Sequence, residues 1–157
     1  MNEQIYLTRE SFQTLITHLV NFEDQLDNII AEYYPQLNQE RLDISTFITE
    51  YNNQLGEIVK NIITSPEADY TFPCVIIGCE VTIQDLASKE ILYYSISGPY
   101  YEGFNYDDIS YLSPVGRALL LRRVGDIVVV KTPSGLYKYE LLSITYGKPK
   151  QQGKEAL

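Results

Sequence analysis

The chain contains no tryptophan, one methionine, one histidine and two cysteines in 157 residues. With His18 as the sole imidazole, and Cys74 and Cys79 as the only thiols, no zinc-type ligand set can be assembled from the sequence. The five-residue spacing in "CVIIGC" sends the two thiols to opposite faces if the segment is a strand, which excludes an unstrained disulfide between them. They read as two small apolar residues. No apolar run approaches the roughly 18 residues needed to cross a bilayer. The opening "MNEQIYLTRE" has no basic stretch leading into an apolar one. A secretory signal is therefore not expected, and a cytoplasmic location is.

Basic residues are scarce in one half. Residues 1–73 hold Arg9, Arg41 and Lys60 against twelve carboxylates, whereas the remainder is balanced, so the net charge of −9 belongs to the N-terminal half. That distribution argues against direct binding to a nucleic-acid backbone. It suits a basic protein surface or channel, or simply keeps a helical surface soluble.

Two periodicities divide the chain. Thr8 is placed to cap a helix with Glu10 in its first turn. Phe12, Leu15, Leu19, Phe22, Leu26, Ile29 and Tyr33 then follow at alternating steps of three and four, a coiled-coil seam. Pro35 ends that helix or only kinks it, in which case it runs on toward Leu42. A second seam comprises Ile44, Ile48, Tyr51, Leu55, Ile58 and Ile62, with Asp43 placed to cap it. Two seams joined by a polar connection predict an antiparallel helical hairpin over residues 1–63. Ile16, Val20, Ile30, Val59 and Ile63 widen the apolar stripe, so a flank of the hairpin is available to rest on the second part.

Residues 64–73 read as a linker. Beyond them "CVIIGCEVTI", "EILYYSISG", "ISY", "DIVVVK" and "LYKYELLSITY" are strand-like, the last two joined across "TPSG". "SPVGRALLLRRVGD" reads as a helix with Ser113 as cap, Pro114 at the first position, and Arg122 and Arg123 in its last turn before Gly125. The tyrosine-rich "YYSISGPYYEGFNY" reads as sheet plus an interaction loop, with too few basic residues to be a base-stacking platform. Residues 147–157 are expected to be a disordered tail. The fold class is α+β: a helical hairpin followed by a small, mainly antiparallel sheet domain at 74–146 with one helix.

Three stretches carry a family resemblance: "YLTRESFQTLITHL", "VIIGCEVTIQDL" and "ISYLSPVGRALLLRRVGDIVVVKTPSGLYKYELLSITY". Together they resemble the GreA/GreB transcript-cleavage factors of bacterial RNA polymerase over Tyr6 to Tyr146. The resemblance implies an FKBP-like C-terminal domain that docks at the rim of the polymerase secondary channel, with a hairpin that threads the channel. It implies two tip acids that help hold a polymerase-bound Mg²⁺, with the RNA cut by the polymerase itself. The chain would then be an accessory factor, not an enzyme, without a cofactor or stably bound metal of its own. It would be a monomer that binds RNA polymerase, makes no sequence-specific nucleic-acid contact and has no membrane association. Matched to this sequence, the tip acids are Glu40 and Asp43, three apart as the family's pair is. The polymerase-facing residues are Ser113 and Pro114; Arg117, Arg122 and Arg123 on the same segment are placed either to pair with an acidic polymerase surface or to oppose the dipole at the helix end. The family's own tip, Gly-Asp-Leu-x-Glu-Asn-Ala-Glu-Tyr, is missing from "NQERLDIS". If Ile48–Tyr51 is aligned to its end instead, Ile44 and Phe47 take the acid positions and both carboxylates are lost. Two other functions stay open: occupancy of the channel without cleavage, and an isomerase or chaperone role suggested by the FKBP-like fold.

Overall fold

Thr8 stands in extended backbone and its side chain accepts from the Ser11 amide at 3.1 Å, which starts the first helix where the sequence placed it. The computed structural model describes residues 4–97 and 107–147. Within them the order is β1 (Ile5–Leu7), α1 (Arg9–Tyr33), α2 (Gln39–Val59), β2 (Ile62–Thr64), β3 (Cys79–Asp85), β4 (Ile91–Ser97), β5 (Asp108–Ser110), α3 (Pro114–Leu119), β6 (Ile127–Thr132) and β7 (Gly135–Tyr146). Most of the tyrosine-rich loop and all but Gly147 of the expected tail lie outside the described residues.

Pro35 ends α1 and does not merely kink it. Tyr34, denied helical angles by the proline ring, has φ −135° and ψ 64°. Five residues, 34–38, make the turn. The cap of α2 is Asn38, not Asp43: the Asn38 side chain accepts from the Arg41 amide at 3.0 Å, and Asp43 lies inside the helix.

The seam of α2 is buried at Ile44, Ile48, Tyr51 and Leu55. That of α1 is buried at Leu15 and Phe22 but only partly at Phe12, Leu19, Leu26 and Ile29. Among the widening residues Ile30 is buried, whereas Val20 and Ile63 face solvent. Two short strands unseen in the sequence tie the base of the hairpin. The chain turns back at Asn61, whose amide donates to the Ile58 carbonyl, and β2 then runs parallel to β1 in the register Ile5↔Ile62.

The expected linker, residues 64–73, starts in β2 and is laced at its far end to the sheet. Thr71 bridges Thr145, the Tyr146 amide donates to the Tyr70 carbonyl at 2.7 Å, and Phe72 is buried.

The sheet order is β5-β4-β3-β7-β6, antiparallel except for the parallel pair β4–β5. Strand β3 begins at Cys79 and not at Cys74, because Gly78 takes a φ of +102° that interrupts the extended run. One sheet face buries Cys79, Val81, Ile83, Ile96, Val128, Val130, Leu141 and Ile144. Both cysteines are free and buried.

Helix α3 opens as expected, with Ser113 accepting from the Gly116 amide and Pro114 first. It stops after Leu119, short of the expected Gly125. Leu119 and Leu120 are drawn into the core, Leu121 takes a φ of +68°, and its amide pairs with the Val75 carbonyl. Arg122 and Arg123 therefore follow the helix instead of forming its last turn.

Candidate functional site at the hairpin tip

The first two turns of α2 carry the tip chemistry. Glu40 and Asp43 are both exposed. Three apart on a helix, they share one face. Asp43 accepts from the Gln39 side-chain amide at 2.7 Å. Arg41, between them in sequence, reaches the Pro35 carbonyl at 3.4 Å. Among the described residues the one ion pair is Lys60–Glu57, on the exposed end of α2 away from the tip. Among the described residues the carboxylate pair has no cation in ion-pair contact, in a half of the sequence where most charges are negative. Leu37, 90% exposed, and Leu42, 58% exposed, flank it.

Two carboxylates are too few to hold a divalent cation alone, and enough to complete a shell supplied mostly by waters and phosphate oxygens. Among the described residues no group of three or more His, Cys, Asp or Glu side chains is placed to hold a metal. The alternative pair of positions does no such work: Ile44 is 2% exposed and Phe47 is packed beneath Arg117.

The second set of expected residues lies on another element and does not meet the tip acids. Ser113 spends its hydroxyl on the helix start, donating to the Ser110 carbonyl at 2.6 Å and accepting from Gly116. Pro114 is exposed beside it. Arg122 donates to the Ala118 carbonyl at 3.3 Å, and the Arg123 amide donates to the Asp126 carboxylate at 2.9 Å. Both side chains are exposed. Arg117 turns instead toward the hairpin, its guanidinium carbon 5.2 Å from the centre of the Phe47 ring.

That contact belongs to a junction between hairpin and sheet domain, made by Phe47 and seam residues and not by the residues that widen the stripe. Tyr51 accepts from the Ile77 amide at 2.7 Å. Phe22 meets Tyr111 edge-on at 5.7 Å and Tyr51 at 6.1 Å. His18 stacks on Phe22 at 5.5 Å. Three buried polar atoms have no hydrogen-bond partner among the described residues: His18 Nε2, Asn52 Oδ1 and Tyr111 Oη. Burial holds the His18 imidazole below its ordinary pKa and pushes the Tyr111 phenol up. The seam makes Tyr51 hairpin core. Its seam position is right, but nothing in the sequence signals a hydrogen bond to an amide 26 residues away.

The open face of the sheet carries a groove lined by Glu80, Thr82, Tyr93, Ser95, Asp107 and Thr145.

Residues 69–146 match the family model described as transcription elongation factor, GreA/GreB, C-term. The transcription elongation factor GreA of Thermosipho melanesiensis is 30% identical, with 90% of this chain and 97% of that one covered. GreA of Alkaliphilus oremlandii is 35% identical over 87% of this chain and 82% of its own. Among solved structures, the GreA/GreB elongation factor from Nitrosomonas europaea superposes with a TM-score of 0.55 at 19% identity, covering 91% of this chain and all of that one, a likeness of fold.

Proposed function

This chain belongs to the GreA/GreB family of transcription elongation factors, and we propose that it binds RNA polymerase at the secondary channel and stimulates the polymerase's own cleavage of backtracked RNA. The supporting observation is the exposed carboxylate pair of Glu40 and Asp43, set at the tip of an acidic hairpin with Arg41 turned away to Pro35. In phosphoryl chemistry that uses two metal ions, added carboxylates help place the more weakly held one. Glu40 and Asp43 would supply those oxygens to an ion the polymerase holds. The chain is then an accessory to another enzyme's active centre and needs no cofactor of its own. Pro114, Arg122 and Arg123 offer an exposed docking edge on the sheet domain. Channel entry by a monomer in the bacterial cytoplasm completes the reading.

A second reading is favoured by the tip sequence, which keeps the family's spacing of acids but not their neighbours. In it the hairpin occupies the channel and slows elongation without promoting cleavage. The assay is a stalled, backtracked elongation complex incubated with the protein. Shortened transcripts that disappear with the Glu40→Ala, Asp43→Ala double variant, while polymerase affinity stays within about threefold, support cleavage stimulation. Unchanged cleavage with slowed elongation sinks that reading in favour of simple occupancy.

A further inference from the structure

Two contacts join α2 to the sheet domain on one side of the helix. Tyr51 Oη takes the hydrogen bond of the Ile77 amide, and both groups are buried. One turn earlier, Phe47 lies under the Arg117 guanidinium. Positions four apart share a helix face, so the two contacts stand about 6 Å apart along the axis. One contact leaves a rigid rod free to pivot, and two hold its direction. Phe22 of α1, edge-on to both Tyr51 and Tyr111, braces the neighbouring helix against the same point.

The lever is long enough for this to matter. From Tyr51 to Glu40 is eleven residues, about 16 Å of helix. A pivot of about 20° at Tyr51 would displace Glu40 by about 6 Å on that length. A catalytic constellation tolerates about 0.5 Å. The direction of α2 therefore decides whether a tip carboxylate reaches its target.

We propose that Tyr51 and Arg117 are positioning residues: by anchoring α2 at Ile77 and Phe47 they set the angle at which the hairpin leaves the sheet domain, and so the place where Glu40 and Asp43 are presented. The proposal rests on the reading of the tip as the working end. It also gives Arg117 a role inside the molecule, holding α2, in place of the polymerase contact expected from its position on α3.

The first arm of the test needs no polymerase. In the full chain, spin labels at Gln36→Cys and Lys131→Cys report the separation of tip and sheet. The expected result is one narrow distance distribution, which Tyr51→Phe combined with Arg117→Ala broadens or shifts by 5 Å or more. An unchanged distribution overturns the proposal. Phe47→Leu keeps the apolar volume and removes the ring face. It is expected to match Arg117→Ala, and the two together to do no more than either alone. Additive effects would break the assigned pairing. If the combined variant fails to fold, as seen by loss of near-ultraviolet circular dichroism, Phe47→Leu and Tyr51→Phe are judged singly by the same distance.

The second arm is functional. Tyr51→Phe is expected to lower cleavage of backtracked RNA tenfold or more while polymerase affinity moves less than twofold, a split that general destabilisation does not produce. Equal or higher cleavage in Tyr51→Phe overturns positioning, the latter by making the junction a brake. If the Glu40→Ala, Asp43→Ala variant keeps full activity, the tip reading fails, and the distance arm still decides whether the junction sets the hairpin angle.

Discussion

The Asn38 side-chain oxygen accepts from the Arg41 amide at 3.0 Å, and that bond decides where α2 begins. The cap lies five residues before Asp43, so Glu40 falls within the first turn, where a carboxylate also meets the positive end of the helix dipole. Asn38→Ala is expected to cost about 1 kcal/mol. For a chain of this size that lowers the melting temperature by about 2–4 °C. Asp43→Ala, which removes only the exposed bond from Gln39, should cost less than about 0.5 kcal/mol. Urea titrations of both variants check the ranking, and a reversed order would return the cap to Asp43.

Two glycines should behave oppositely. A Cβ at Gly116 would run into the Ser110 carbonyl oxygen, which already accepts from the Ser113 hydroxyl and amide. That clash is with backbone and has no flexible partner to yield. Gly116→Ala is expected to destabilise by more than about 2 kcal/mol. Gly56 lies inside α2 with nothing within 4 Å of the added carbon. Gly56→Ala should therefore stabilise by about 0.5–1 kcal/mol, the usual gain for replacing a helix-interior glycine. Thermal melts of the pair read out both signs.

What the sequence disclosed followed from what periodicity measures. The seam of α2 was legible because Ile44, Ile48, Tyr51 and Leu55 are enclosed on that face. The same pattern on α1 overstated burial at Leu19 and Leu26, since an apolar stripe states which side is apolar and not how much is laid over it. Asn38 and Asp43 both precede the apolar run, and the earlier one is the cap because the first hydrogen-bonded turn begins before Leu42, which faces water. The Ser113–Pro114 start was legible from local chemistry alone. The end of α3 was not, because tertiary burial of Leu119 and Leu120 stops it while arginines continue the helical pattern. The same limit hides the junction. A phenol on α2 and an amide at Ile77 find each other only once the sheet exists. At the tip the exposure of Glu40 and Asp43 agrees with their place in a polar connection, whereas the direction taken by Arg41 has no signal in the sequence.

His18 gives the junction a pH signature. Its imidazole is half-buried and stacked on Phe22, with Nε2 buried and unpartnered among the described residues, so burial holds its pKa in the folded state below 6.5. The unfolded chain then binds the proton more readily, and stability rises with pH across that interval. The contribution is fully present above about pH 6.5, the unfolded value, and is lost as pH falls toward the lower folded value. His18→Phe keeps a ring against Phe22 and removes the titrating nitrogen. Urea midpoints measured from pH 8 to pH 5 should fall more steeply for the native chain than for the variant. Parallel curves would mean that His18 is not the linked group.

Leu37 separates folding from binding. At 90% exposed in the turn between α1 and α2, it contributes almost nothing to the core, so Leu37→Ser should leave stability within about 0.5 kcal/mol of the native chain. If the tip enters a protein channel, that side chain is the most accessible apolar group available for burial there. Burying a leucine is worth about 1.5–3 kcal/mol, which corresponds to roughly a tenfold to hundredfold loss of affinity on its removal. Leu42, 58% exposed and one turn into α2, should lose less when changed to serine. Competition for RNA polymerase by the two variants, alongside their melting curves, gives the comparison. Native affinity in Leu37→Ser would mean that the tip does not bury this leucine against the polymerase.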